Sequence, residues 1–307
     1  MDHVPVMLDE VLTALSIKDD EVYVDCTFGA GGYSRAILNN NNSKLIAIDQ
    51  DPSVKKYVDV LDKEYPGRVT FHSRNFSEIE GILHGQKVDG IVLDLGVSSM
   101  QLDQAERGFS FMRDSALDMR MSASGPTAAD FVNSADEFEI ARVIFEYGDE
   151  RASRKIASRI ITEREKEPIT TTARLAEIVR KAIGYRPGKI DPATKTFQAI
   201  RIWVNDEMGA LERFLEQSEY MLKDGGRLVV VTFHSLEDRI VKRYFQEKTE
   251  KPVARSKYAK DVPAYGAPYK LLMRKAVHTS DAEIKRNPRS RSAKLRAAIK
   301  VGESYGR

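Results

Sequence analysis

The chain reads as an α/β protein, a mostly parallel sheet of about seven strands broken by a long helical insertion. Three observations lead there. Residues 21–51 spell a β-loop-α-β unit with a glycine cluster in its first turn. Val88 to Leu95, Val-Asp-Gly-Ile-Val-Leu-Asp-Leu, is a near-continuous apolar stretch that suits a strand buried on both faces. The next comparable strand, Arg227 to Phe233, lies more than 130 residues further on, whereas a usual βα unit needs about 30.

Taken in order, residues 1–7 look extended and Leu8 to Ile17 carries helical spacing. Val22 to Cys26 and Leu45 to Ile48 are short β-prone runs on either side of the glycine turn and a helix-compatible segment. Pro52 suits the first residue of a helix reaching about Glu64. Val69 to His72 is a third strand, and Phe76 follows it, placed equally well for a ring against a flat cofactor base or for a core aromatic. After Leu95 the alternation stops, and Gly96 to Met121 is loop-like. Helical patterns then run from Thr127 to Ile183, with capping-box spacing at Ser134 and Glu137. A charged helix covers about Arg151 to Lys166, and Gly184 stops the one over Ala173 to Ile183. Asp191-Pro192 starts another helix through Val204, and Glu207 to Leu222 is the last before Gly225-Gly226. Ser235 to Asp238 reads as a cap for the helix through Phe245. Leu271 to Val277 and Leu295 to Val301 are two late strands joined by the basic linker Lys285 to Ser292. The stretch from about 103 to 200 is therefore an insertion in an α/β domain.

The glycine turn carries the first chemistry. Glycines 29, 31 and 32 let the backbone turn sharply and bring N–H groups close to a ligand where a Cβ would intrude. Asp49 ends the second strand, 18 positions after Gly31, which suits an acid bonding a ribose hydroxyl. The turn reads Asp-x-Thr-x-Gly-x-Gly-Gly rather than Gly-x-Gly-x-x-Gly, so a dinucleotide fits it poorly. Asp25 would repel a pyrophosphate but would pair with an ammonium group. S-adenosylmethionine carries a methionyl ammonium and no phosphate, which favours it over a nicotinamide cofactor. An ordinary tight turn with Asp49 as a helix cap accounts for the same residues taken alone.

Composition bounds the rest. At 307 residues, 42% hydrophobic and 31% charged, the chain is long enough for a sizeable core and ordinary for a soluble protein. Cys26 is the one cysteine, so no internal disulfide forms and a reducing compartment is expected. No apolar run approaches membrane-spanning length and the N-terminus lacks a signal-peptide pattern, so the expected place is the cytosol. His3, His72, His84, His234 and His278 lack ligand spacing, and no metal site is expected.

The net charge of +2 hides an asymmetry. From Arg239 onward there are 19 Lys plus Arg against 6 Asp plus Glu, a balance of +13 on a body of −11. That arrangement suggests a polyanion partner, with a solvated tail as the plainer account. Tyrosines 244, 258, 265 and 269 interleave with the basic residues, favouring RNA or single strands whose bases stack on rings.

Six blocks together carry a resemblance: Asp25-Cys-Thr-Phe-Gly-Ala-Gly-Gly-Tyr-Ser34, Asp94-Leu-Gly-Val-Ser-Ser-Met-Gln-Leu-Asp103, Arg107-Gly-Phe-Ser-Phe111, Leu117-Asp-Met-Arg-Met121, Phe233-His-Ser-Leu-Glu-Asp-Arg239 and Asn287-Pro-Arg-Ser-Arg-Ser-Ala-Lys-Leu-Arg296. In this order the chain resembles, over nearly its whole length, the bacterial small-subunit ribosomal RNA cytosine-N4 methyltransferases, the RsmH (MraW) family. The resemblance implies a class I S-adenosylmethionine-dependent methyltransferase, Rossmann-like, with residues 1–102 and 201–307 as a discontinuous catalytic domain and 103–200 as the inserted helical domain. It implies methylation of the N4 amine of a cytosine in the decoding centre of 16S rRNA, with rRNA or the 30S subunit as partner. The sequence is also compatible with a homodimer. Tyr33 departs from the family, which usually shows histidine there.

Carried over residue by residue, the cofactor contacts fall on Gly31, Gly32, Tyr33, Asp49, Phe76, Asp94 and Gln101, beside Asp25 from the turn itself. The exocyclic amine is a poor nucleophile because its lone pair is conjugated into the ring, so an acceptor for its proton is needed. Asp94, or Asp118 from the inserted loop, is the candidate; Asp118 equally suits an ion pair with Arg113 or Arg120. Arg286, Arg289, Arg291 and Lys294 are the candidates for RNA phosphates. A nicotinamide-dependent oxidoreductase and a non-catalytic RNA-binding assembly protein are the competing classes. Cofactor binding separates the first, and methyl transfer to undermethylated 30S subunits the second.

Overall fold

A computed structural model of the chain describes residues 5–40, 42–185, 188, 191–249 and 267–302. It divides into two compact units, Met1–Gly96 with Met208–Arg307, and Val97–Glu207.

The first unit is built on an eight-stranded sheet. The helix α1 (Leu8–Leu15) precedes β1 (Val22–Asp25), and α2 (Gly32–Asn40) leads to β2 (Lys44–Ile48). Next come α3 (Lys55–Glu64), β3 (Val69–His72), α4 (Ile79–Leu83) and β4 (Val88–Asp94). Strand order is β3-β2-β1-β4-β5-β8-β6, where β5 (Leu222–Thr232), β6 (Tyr269–Leu271) and β8 (Lys294–Lys300) come from the C-terminal third. The pairs from β3 through β5 are parallel, and β8 runs antiparallel to β5. This is the expected α/β architecture, with a long helical stretch between β4 and β5 in sequence. Successive strands step outward from β1 to β3 and then resume on the other side at β4. The order thus reverses between β1 and β4, where open α/β sheets leave a crevice beyond their carboxyl ends.

Burial explains the strand sequences. Val88, Ile91, Val92 and Leu93 are fully buried, as are Leu228 to Val231, which is why both stretches are apolar without alternation. The β5 strand starts at Leu222 rather than at Arg227, with an irregularity over Lys223–Gly226 where Gly225 takes φ 82°.

Several expected elements shift. The late strand over Leu271 to Val277 is two short ones, β6 and β7 (Val277–His278), both on the outer edge of β8. Exposed Arg274 and Lys275 lie at the break, and charge on an edge strand interrupts a ladder at little cost. The linker Lys285 to Ser292 is helical, with α13 (Asp281–Arg286) and a 3-10 turn at Pro288–Ser292. His234, not Ser235, caps α12 (Ser235–Lys248), reciprocally with Glu237. Pro52 opens a 3-10 turn over Pro52–Val54 that Asp51 caps, and α3 follows at Lys55. Residues 5–7 are not extended throughout, because Met7 sits in the left-handed region at φ 53°.

Tyr244 and Tyr269 are buried, packed ring to ring with Phe245 at about 6 Å. They are core aromatics and not a surface for bases. Tyr258, Tyr265 and His3 lie outside the described residues.

The second unit is helical: α5 (Ser99–Asp103), α6 (Ala128–Ser134), α7 (Glu137–Gly148), α8 (Ser153–Arg164), α9 (Thr172–Ile183) and α10 (Ala193–Val204). The α11 helix (Glu207–Met221) leads back to the sheet. Asp136, not Ser134, caps α7, its side chain accepting the Glu139 N–H at 2.7 Å; Ser134 instead ends α6. The apolar stripes of these helices meet in one core containing Phe131, Ile144, Ile160, Leu175 and Ile200. Trp203 stacks on Phe131 with ring centroids 4.1 Å apart.

Candidate active site

The crevice-side loops of the first unit gather carboxylates. Asp25, at the end of β1, is 1% exposed. Its Oδ2 accepts the Ser34 hydroxyl at 2.7 Å and its Oδ1 the Thr27 N–H at 3.2 Å. Burial pushes the carboxyl up to about 6 against these hydrogen bonds. Both oxygens are thus engaged inside the protein. Through them Asp25 ties the turn to the first helix after it.

Asp49 follows β2. Its Oδ2 accepts the Gly29 N–H at 2.8 Å and its Oδ1 the Asp51 N–H at 2.9 Å. Burial raises this carboxyl to about 6 as well. Each oxygen keeps a second lone pair, and the residue is half-buried, so a ribose hydroxyl has acceptors there.

The glycines turn the backbone sharply, as expected, but what crowds the missing side chains of Gly31 and Gly32 is the protein itself. Gly31 has φ 77°, which glycine alone adopts freely, and a Cβ on it would lie 2.9 Å from the Phe28 ring. A Cβ on Gly32 would overlap the Pro5 ring. The space those side chains leave is filled by the protein's own Phe28 and Pro5. Tyr33 is buried, and its hydroxyl donates to the Val6 carbonyl. Its side chain therefore reaches the N-terminal segment, whatever its backbone does.

Phe76 opens a 3-10 turn after β3, which Asn75 caps. It meets Phe214 edge-on, with centroids 5.7 Å apart at 86°, and stays partly exposed. One edge serves the core and the remaining surface is open.

Asp94 ends β4 and is the chemical anomaly of this unit. Its N–H donates to the Thr27 hydroxyl at 2.7 Å. Its carboxyl Oδ1 is buried and has no hydrogen-bond partner among the described residues. Burial holds the group well above the ordinary carboxylate range, and the charges of Asp25, Glu237 and Glu283 push the same way. A buried acceptor left unpaired costs about 1–3 kcal/mol, so this atom marks a place where a partner belongs. Acids on several sides make the fitting partner a cation.

Glu237 and Glu283 join the site without being evident as site residues in the sequence. Glu237 is 1% exposed and accepts the N–H groups of Phe233 and His234 at 2.7 and 3.2 Å. The His234 Nε2 lies 3.1 Å from its other oxygen. The cap-like run Ser235 to Asp238 was the available signal. Glu283, on α13, accepts the Met7 N–H at 2.9 Å; no local pattern announces it.

Among the candidates for RNA, Arg286 is exposed in the last turn of α13, and Arg289 and Arg291 are exposed on the 3-10 turn. Between the last two, Ser290 is fully buried and its carbonyl accepts the Thr279 hydroxyl at 2.8 Å. That anchor turns both arginines outward. Lys294 is different: its Nζ pairs with Asp238 at 3.0 Å, beside Arg296 at 2.7 Å on the other oxygen. It fastens β8 to α12, which removes it from the phosphate set.

Two candidates belong to the second unit. Gln101 is buried and closes a capping box on α5, its Oε1 accepting the Ser98 N–H at 3.0 Å. Asp118 accepts Arg120 Nε at 2.9 Å and Nη2 at 2.8 Å. Burial acts to raise this carboxyl, but the Arg120 contacts outweigh it and hold the group below its ordinary value. Of the two ion pairs weighed for it, the one with Arg120 is formed.

Among the described residues, no helix is long and apolar enough to cross a membrane. Residues 1–301 match the family described as the MraW methylase family. A ribosomal RNA small subunit methyltransferase H from Rickettsia massiliae is 58% identical over 303 residues, covering 98% of this chain and 99% of the relative. One from Rickettsia felis is 57% identical over 301 residues, covering 97% and 98%. One from Rickettsia canadensis is 55% identical, covering 98% of each.

Proposed function

The chain belongs to the MraW methylase family, and from that premise we propose that it transfers a methyl group from S-adenosylmethionine to the N4 amine of a cytosine in the decoding centre of 16S rRNA. The observation that carries this reading is the buried, unpaired Oδ1 of Asp94 among acids at the β1/β4 crevice. A sulfonium nucleoside brings positive charge and no phosphate to that place. A pyrophosphate would meet repulsion from the same carboxyls.

Asp49 is the residue to hold the ribose hydroxyls, through lone pairs left over from Gly29 and Asp51. Phe76 offers its free surface to the adenine. The cofactor supplies an electrophilic methyl group and a neutral thioether leaving group. Asp94 supports the attack from the chain's side. Positive charge placed beside it favours its ionised form, and the carboxylate then accepts the proton that the cytosine amine loses as its nitrogen becomes methylated. Arg286, Arg289 and Arg291 bind RNA phosphates, positioning the strand without reading its sequence.

Transfer of an isotopically labelled methyl group tests the reading. Purified protein is incubated with 30S subunits lacking the modification and, in parallel, with free 16S rRNA. The modified nucleoside is then identified by mass spectrometry. N4-methylated cytidine at one decoding-centre position is expected. Label on another base, or none on either substrate, would overturn the proposal.

A further inference from the structure

Residues 5–7 cross the first glycine turn as a strap. Pro5 lies so close to the Gly32 Cα that no Cβ fits between them. The Val6 carbonyl accepts the Tyr33 hydroxyl. The Met7 N–H donates to Glu283 Oε1 at 2.9 Å, a contact 276 positions apart in sequence. Met7 is fully buried at φ 53°, a left-handed conformation that costs a non-glycine residue about 1–2 kcal/mol. Such a conformation persists only where its surroundings impose it. Here the Tyr33 hydroxyl and the Glu283 carboxylate fasten the two polar ends of the single Val6–Met7 peptide group, immediately before that residue.

We propose that Tyr33 and Glu283 are positioning residues: through the strap Pro5–Met7 they clamp the Gly29–Gly32 turn in the shape that receives the cofactor. This rests on the reading of the turn as a cofactor site. Neither residue touches reacting atoms in this account. Tyr33 works from α2, the helix that the turn opens. Glu283 works from α13, the helix that ends in Arg286. A strap fastened to both links the cofactor turn to the basic segment assigned to RNA.

The test uses the full chain with Tyr33→Phe, Glu283→Ala and Glu283→Gln, and reads the dissociation constant and off-rate of S-adenosylmethionine by calorimetry and stopped flow. Tyr33→Phe and Glu283→Ala each remove one fastening, and affinity is expected to fall about tenfold, the scale of a single charge-assisted or well-placed hydrogen bond. Glu283→Gln keeps an oxygen acceptor for the Met7 N–H and is expected to restore most of the affinity. The double variant Tyr33→Phe/Glu283→Ala is expected to lose less than the product of the singles, because a released strap has nothing more to lose. In methyl transfer, KM for the cofactor rises while kcat at saturation changes little. Hydrogen exchange at Met7 is expected to quicken in both single variants. Unchanged affinity in Tyr33→Phe and Glu283→Ala overturns the proposal, as does a parallel fall of kcat and melting temperature at constant KM. Failure of the unaltered chain to bind the cofactor counts against the methyltransferase reading instead.

Discussion

The Thr27 hydroxyl accepts the backbone N–H of Asp94 at 2.7 Å, tying the turn after β1 to the end of β4. The Thr27 N–H in turn reaches Asp25, so a chain of three residues spans the point where the strand order reverses. Thr27→Val keeps the shape and deletes the acceptor, leaving the Asp94 N–H unpaired. A loss of about 1–3 kcal/mol is expected, read as a lower melting temperature. Turnover should fall as well, because the backbone carrying Asp94 is no longer fixed. Unaltered stability and turnover would mean that Thr27 merely fills space.

Asp94→Asn separates stability from activity. The ligand-free protein holds a carboxyl with an unpaired Oδ1, kept protonated by burial and three nearby acids, and the amide is neutral at nearly constant volume without taking up a proton on folding. The melting temperature of the ligand-free variant is expected to rise. Methyl transfer is expected to drop by about two to four orders of magnitude, the usual contribution of a positioned proton acceptor. A variant that transfers methyl groups at the normal rate removes Asp94 from the chemistry.

Much of this is legible in the residues alone. The strand ends carrying Asp25, Asp49 and Asp94 follow from β-prone runs bounded by glycine and proline, a local signal. The purpose of Gly31 and Gly32 was not readable, because the atoms that fill their missing side chains belong to Phe28 and Pro5, and Pro5 is remote in sequence. Glu283 is hidden for the same reason: its partner Met7 lies at the other end of the chain. Tyr244 departs from expectation for a different reason. Ile240, Val241, Tyr244 and Phe245 recur at helical spacing, which marks a buried face, and that periodicity outweighs the positive charge around it.

Salt dependence separates the basic residues by role. Arg286, Arg289 and Arg291 are exposed, whereas Lys294 is held by Asp238 within the fold. Replacing the three arginines with alanine should weaken RNA binding and flatten the plot of log affinity against log salt by about 2 units, at roughly 0.7 per single-strand phosphate contact. Lys294→Ala should leave that slope unchanged and lower the melting temperature instead. Equal slopes for the triple variant and the unaltered chain would place the RNA elsewhere.

Stability of the ligand-free protein should decline as pH rises through the weakly acidic range. Asp25 and Asp49 are both lifted to about 6, chiefly by burial, and Asp94 is lifted further in the same direction. In each case the folded state binds its proton more tightly than the unfolded chain does. For Asp25 and Asp49 the contribution is therefore complete below the ordinary carboxylate value near 4 and is lost as pH climbs through about 6. For Asp25 alone the two-unit rise corresponds to about 3 kcal/mol by pH 7. Asp118 and Asp238 act with the opposite sign, their lowered values adding stability that is lost only on further acidification. A cationic cofactor favours the ionised acids, so its binding should release protons and strengthen between about pH 5 and 7. Calorimetry at pH 6 in buffers of different ionisation heat counts those protons, and Asp25→Asn should reduce the count. Binding with no proton release, and a ligand-free melting temperature flat from pH 4 to 7, would show that these carboxyls are already ionised in the empty crevice.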